Sequence, residues 1–170
     1  RPPRSTLFPY TTLFRSIAFI LPLSFKKNTL KNKLNLNFKL VNEIILEKNS
    51  FILENLDYGV PCVFQVWERS NLKREKIKLK TTSVLIEFTK DTSKADLRVP
   101  RVGGNAGKAS SKIKGSLESN YFIINKTELS NEELINLINT ITFPSINYTS
   151  GPKSLSKGEL IYELEKICGR

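Results

Sequence analysis

The chain has 170 residues, with 27 Lys and Arg against 16 Asp and Glu, no histidine, no methionine and two cysteines. The missing histidine excludes His-dependent triads, most catalytic zinc sites and imidazole acid–base chemistry within these residues. The net charge of +11 favours polyanionic partners through counterion release, although Lys- and Asn-rich proteins from AT-rich genomes carry a similar excess.

In chain order, residues 1–16, RPPRSTLFPYTTLFRS, resemble a translated sequencing-library adapter, which encodes every one of them in a single frame. They are set aside as an artefact expected to be disordered, as a tag would be. The native sequence is then expected to begin no earlier than Ile17, with its upstream part missing; the absence of methionine agrees. Without Arg1, Arg4 and Arg15, 24 basic side chains face 16 acidic ones, a net of +8 over 154 residues, enough for one ordinary domain with a real core.

Ile17–Pro22 is a continuous apolar run ended by proline, the pattern of a strand buried on both faces of a parallel sheet. Ser24 then reads as a helix cap, and Phe25, Leu30 and Leu34, with Lys26, Lys27, Lys31 and Lys33 between them, predict a short basic helix from about Ser24 to Lys33. Phe38–Leu46 reads as a strand, followed by the turn-rich residues 47–50 and then the apolar Phe51–Leu53. Val60–Glu68 is the clearest strand, with Cys62, Phe64 and Val66 on one face and Val63, Gln65 and Trp67 on the other.

Arg69–Lys80 is charged and aperiodic, and reads as a solvated linker that divides the chain into residues 17–80 and 81–170. Beyond it, Ser83–Phe88, Ala95–Val102 and Tyr121–Ile124 read as strands, and Val102–Lys108 as a glycine-rich turn. Ser130 with Glu133 forms a capping box ahead of a helix over Asn131–Ile141, stopped by Pro144. A last amphipathic helix is capped by Ser156 and carries Leu160, Ile161, Leu164 and Ile167. Cys62 and Cys168 form no CxxC pair, and nothing points to a disulfide or an oxidising compartment. The apolar stretch Ile17–Leu23 is too short to span a bilayer. A cytoplasmic protein with no metal site is expected.

The segments IAFILP with Ser24-Phe25 and a basic helix, then YGVPCVFQVWE at Tyr58–Glu68, then RVPRVGGNAGK at Arg98–Lys108 followed by Asn120–Ile123, together resemble the carboxy-terminal half of class I S-adenosylmethionine-dependent methyltransferases of the adenine-N-6 DNA type. The resemblance covers nearly all of Ile17–Ile167. It implies an α/β fold: the last strands of a Rossmann-like methyltransferase sheet, beginning with the fifth strand at Ile17, followed by a small α+β extension that contacts substrate. It also implies an exposed strand edge where the missing half would pair.

In that family the cofactor is held by a Gly-rich loop and an acidic residue upstream, and the reaction needs an Asn/Asp-Pro-Pro-Tyr/Phe motif that directs the amine lone pair at the methyl group while its aromatic stacks on the flipped base. The only Pro-Pro pair here, Pro2-Pro3, lies in the adapter-like segment. The resemblance therefore implies no catalytic and no cofactor-binding residue in this chain, S-adenosylmethionine as the parent enzyme's cofactor, and no methyl transfer by the fragment alone. By the same resemblance Phe51, and after it Tyr58, would hold the extruded base; on the residues alone Phe51 reads as core between strands. Trp67 reads as packing.

Gly103–Lys108 fails as a nucleotide phosphate loop, because Val102 and Ala109 stand where a glycine and a Ser/Thr are required. It reads instead as a turn whose amides meet a nucleic-acid phosphate, helped by Arg98, Arg101, Gly103, Gly104, Lys108, Lys112 and Lys114, or as a plain hairpin with a solvated basic rim. Asp57, Asp91 and Asp96 lie beside turns and read as solvated rather than as acid–base groups. The leading expectation is a truncated methyltransferase portion acting on nucleic acid, with DNA adenine favoured and the missing amino-terminal half as partner. The alternatives are a non-catalytic basic nucleic-acid-binding module and a structural or phage-associated protein.

Overall fold

The computed structural model describes residues 14–47, 49–149 and 151–169. The chain divides into two compact units at Lys78/Leu79, two residues before the division expected from composition. Each is mixed α/β and built on a three-stranded antiparallel sheet.

In the first unit, β1 (Ser16–Pro22), β2 (Phe38–Ile45) and β5 (Cys62–Arg69) form a sheet in the order β1-β5-β2. Both outer strands run antiparallel to β5, so β1 and β2 are parallel to each other without touching. The parallel pairing read from the apolar run Ile17–Pro22 is thereby corrected. Its residues alternate between covered (Ile17 and Phe19 half-buried, Leu21 buried) and exposed, because only one side of the sheet is covered within the described residues. Among those residues the outer edge of β1 pairs with no strand. Strand pairing also reaches back into the adapter-like segment: Ser16 faces Glu68, and the Arg69 amide donates to Arg15 O at 2.7 Å. Backbone pairing asks nothing of side-chain origin, so the expectation of disorder does not hold for these last residues. Residues 1–13 lie outside the described part.

The covered side of this sheet centres on Trp67, which packs with Leu34 and Phe38 and is flanked by Ile17, Phe19 and Leu40. Gln65 beside it is fully buried and satisfied: its amide donates to Glu43 Oε2 at 2.7 Å and Phe25 O at 3.3 Å, while its oxygen accepts from Trp67 Nε1 at 3.1 Å. Glu43 is held in turn by Lys31 at 2.8 Å and Lys26 at 3.7 Å. The basic helix expected over Ser24–Lys33 is a 3-10 turn at Leu23–Lys26 and a single α turn, α1, at Asn28–Lys31. Lys27 breaks it with an extended backbone, and neither turn has a side-chain cap or an acidic residue in its first turn.

Residues 69–80 are less of a linker than their charge suggests. Arg74 lies over the Trp67 ring, 5.4 Å from its centre, and donates to Phe38 O, Lys31 O and Leu34 O. Burial disfavours its charged form and lowers its pKa from the ordinary arginine value. Between β2 and β5 stands a hairpin, β3 (Phe51–Leu53) and β4 (Leu56–Tyr58), closed by Glu54 and Asn55 at φ 51° and 63°. Two consecutive left-handed residues are what a tight hairpin needs to match strand twist.

In the second unit β6 (Ile86–Thr89), β7 (Leu97–Pro100) and β8 (Asn120–Asn125) form a sheet in the order β6-β8-β7. The helices α2 (Asn131–Thr140) and α3 (Lys157–Ile167) supply Leu134, Ile138, Leu160, Ile161 and Leu164 to one core with Ile86, Leu97, Val99, Tyr121 and Ile123. Each helix starts with a reciprocal capping box, Ser130 with Glu133 and Ser156 with Glu159. Glu165 of α3 is buried and bound by Lys80 Nζ at 2.7 Å and Ser83 Oγ at 2.9 Å, which depresses its pKa, the Lys80 bond contributing most.

Candidate nucleic-acid interface

The segment from β7 through Lys114 gathers the basic residues singled out in the sequence. Gly103 takes φ +91° and its amide donates to Lys153 O at 2.9 Å; Gly107 takes φ +86° and donates to Pro100 O at 2.9 Å. The Ala106 and Lys108 amides donate to Gly103 O and Asn105 O. These four amides are directed into the chain, so the turn is a braced corner rather than a nest of amides open to a phosphate. Gly104 and Asn105 form its exposed tip.

The two arginines have work inside the unit. Arg98 exchanges backbone bonds with Ser110 at 2.9 Å in each direction, and its guanidinium donates to Lys114 O at 2.7 Å, fastening residues 108–114 against the sheet. Arg101 is half-buried, with its guanidinium carbon 5.4 Å from the Tyr121 ring centre. The Nε atoms of both arginines are buried without a hydrogen-bond partner. Lys108, Lys112 and Lys114 are exposed around them, Lys108 Nζ reaching Asn139 O at 3.3 Å at the end of α2. Two half-buried arginines held within the unit and three exposed lysines make this segment a positively charged rim.

In the other unit the backbones of Phe51 and Tyr58 stand opposite each other in the β3–β4 register, and Phe51 is half-buried. The side chain of Tyr58 lies outside the described residues, as does that of Asp57. Asp91 is exposed and caps the 3-10 turn Thr92–Lys94, its pKa lowered by bonds from Ser93. Asp96 is half-buried and spent on structure: its oxygens accept from the Asn125 amide at 2.8 Å and Asn131 Nδ2 at 3.3 Å. Both cysteines are free, Cys62 buried and Cys168 half-buried.

No family model, curated protein or solved structure matches the chain. Among the described residues no group of three or more His, Cys, Asp or Glu could hold a metal ion, and no helix is long and apolar enough to cross a membrane.

The sequence reading missed Lys157, Phe88 and Tyr121, which continue the row begun by Arg101. Tyr121 meets Phe88 edge to face at 5.3 Å, and Lys157 Nζ stands 4.6 Å from the Phe88 ring centre. The available signal was the alternation that puts Phe88 on the same sheet face as its cross-strand partner Ile123, and hence Tyr121, two residues away. Tyr121 OH donates to Leu155 O at 3.0 Å, and burial raises its pKa.

Proposed function

We propose that this chain is the carboxy-terminal portion of a class I S-adenosylmethionine-dependent methyltransferase acting on nucleic acid, with DNA adenine as substrate. The single observation that supports this most is the sheet order β1-β5-β2, with the last strand inserted in reverse between two parallel ones. Methyltransferase sheets of this class end in that way, their reversed seventh strand lying between the fifth and the sixth. In this reading β1, β2 and β5 are the fifth, sixth and seventh strands of a Rossmann-like sheet.

Two further features agree with the reading. The outer edge of β1 is where the fourth strand would pair, and the side of the sheet away from Trp67 displays Ile20 at 57% and Ile44 at 50% exposure. Both face Phe64 in register, so they form one apolar strip that helices of the missing amino-terminal half would cover. That half would bring the cofactor loop and the Asn/Asp-Pro-Pro-aromatic motif; this chain would bring contact with substrate through the rim Lys108, Lys112 and Lys114. S-adenosylmethionine belongs to the joined protein and not to this fragment.

The test is methyl transfer. Joined to its upstream half, the chain should move a radiolabelled methyl group from S-adenosylmethionine to duplex DNA, and alone it should not. Cofactor binding without transfer to any nucleic acid would overturn the substrate assignment; no cofactor binding would overturn the enzyme. A second reading, a non-catalytic basic binding module, draws on the closed core of residues 79–170 and their lysine rim. It predicts salt-dependent DNA binding by a joined protein that ignores the cofactor.

A further inference from the structure

The row Arg101–Tyr121–Phe88–Lys157 ends at a cavity of about 320 Å³ whose lining includes Thr81, Thr82, Glu87, Phe88, Lys126 and Lys157, with Ser83, already bonded to Glu165, and Ile86 completing it. Such a volume is at the small end of ligand clefts and suits a compact polar group. Its two cations are held differently. Lys126 Nζ is 3.0 Å from Glu87 Oε2, with both side chains about half exposed. Lys157 pairs with no carboxylate among the described residues; its ammonium rests on the Phe88 ring, 4.6 Å from the centre, and lies 6.0 Å from that of Tyr121. An aromatic face steadies a cation without neutralising it, which leaves the charge available to an anion. Lysine meets phosphate as a point charge, and the threonine hydroxyls can donate to phosphate oxygens. One carboxylate against two ammonium groups leaves the cavity at a net +1.

We propose that this cavity is a phosphate-binding site, with Lys157 and Lys126 as its cations and Thr81 and Thr82 as its hydroxyl donors. In the complex proposed above it takes one phosphodiester of the bound DNA. The source of the phosphate rests on that reading, and the site itself does not. Glu87 acts against the ligand, because it competes with phosphate for Lys126.

Titrating the 170-residue chain with inorganic phosphate, against chloride at equal ionic strength, and following backbone amide resonances tests the site. Phosphate should shift Thr81, Thr82, Lys126 and Lys157 selectively. Lys157→Ala and Lys126→Ala should each weaken phosphate binding by about fivefold, and Glu87→Gln should strengthen it by a similar factor, as for exposed charge pairs. A gain on Glu87→Gln cannot come from damage to the fold. In a parallel titration with duplex DNA, Lys157→Ala should reduce the salt slope by about 0.9. If phosphate shifts the cavity and DNA competes with it, both ideas stand. If phosphate shifts the cavity and DNA does not bind, the site stands and the nucleic-acid reading fails. If phosphate leaves the four residues unmoved, the site is overturned, whatever DNA does.

Discussion

Replacing Gly107 by alanine should destabilise the second unit by about 2–4 kcal/mol, in two parts. At φ +86° a residue with a Cβ is strained by roughly 1 kcal/mol or more. The added methyl would also lie 2.8 Å from Phe143 Cδ2 and 3.1 Å from its Cε2. Phe143 is 5% exposed and shares its core with the fully buried Leu155, so the ring has no free space to retreat into, and overpacking of this kind costs about 1–3 kcal/mol. Gly104→Ala is the internal reference: its Cβ would meet nothing within 4 Å, so the change should stay within roughly 0.5 kcal/mol. Urea unfolding followed by far-UV circular dichroism measures both. Equal losses at the two glycines, or a Gly107→Ala loss below about 1 kcal/mol, would refute the view that Gly107 braces the corner and Gly104 only forms its tip.

Trp67→Ala should cost the first unit about 3–5 kcal/mol by the same assay, since it empties the centre of a small core and removes the ring under Arg74; a loss under 1 kcal/mol would show that the core lies elsewhere. Glu165 has a folded pKa below its unfolded one. Its stabilising contribution is therefore present above the ordinary carboxylate range and fades as pH falls through the depressed value. Glu165→Gln should flatten that part of the second unit's stability–pH curve, and an unchanged curve would deny the Lys80 pairing its weight. Ile20→Lys should leave stability within about 0.5 kcal/mol, because the position is more than half exposed, yet prevent assembly with the upstream half; assembly of the variant, checked by co-purification, would show that this strip is not the covered face. Lys112→Glu with Lys114→Glu should lower the salt slope of DNA binding by about 1.8 if both meet phosphates, and an unchanged slope would remove them from the interface.

How much of this could be read in the chain depends on how local the physics is. Ser130 with Glu133, and Ser156 ahead of the last helix, were legible because a capping box is complete within four residues. The strand Cys62–Arg69 was legible from its alternation and its β-branched and aromatic content. Strand direction at β1 was not, since a continuous apolar run reads the same in parallel and antiparallel sheets until its neighbour is known. Arg74 was hidden in a run of charges because the carbonyls it satisfies lie 36 to 43 residues away. For the same reason Arg98 and Arg101 read only as phosphate contacts or as part of a solvated rim, and their neighbours at Lys114 and Tyr121, 16 and 20 residues away, stayed hidden. The cavity beside Phe88 joins residues from near 81, 126 and 157, a proximity that no sequence window contains.

The methyltransferase origin is tested most directly by sequencing the source DNA across the junction before Ile17. A reading frame that continues upstream, with an Asn/Asp-Pro-Pro-Tyr/Phe motif shortly before Ile17 and a Gly-rich loop further up, is the expected result. A continuous native frame without that motif would contradict it.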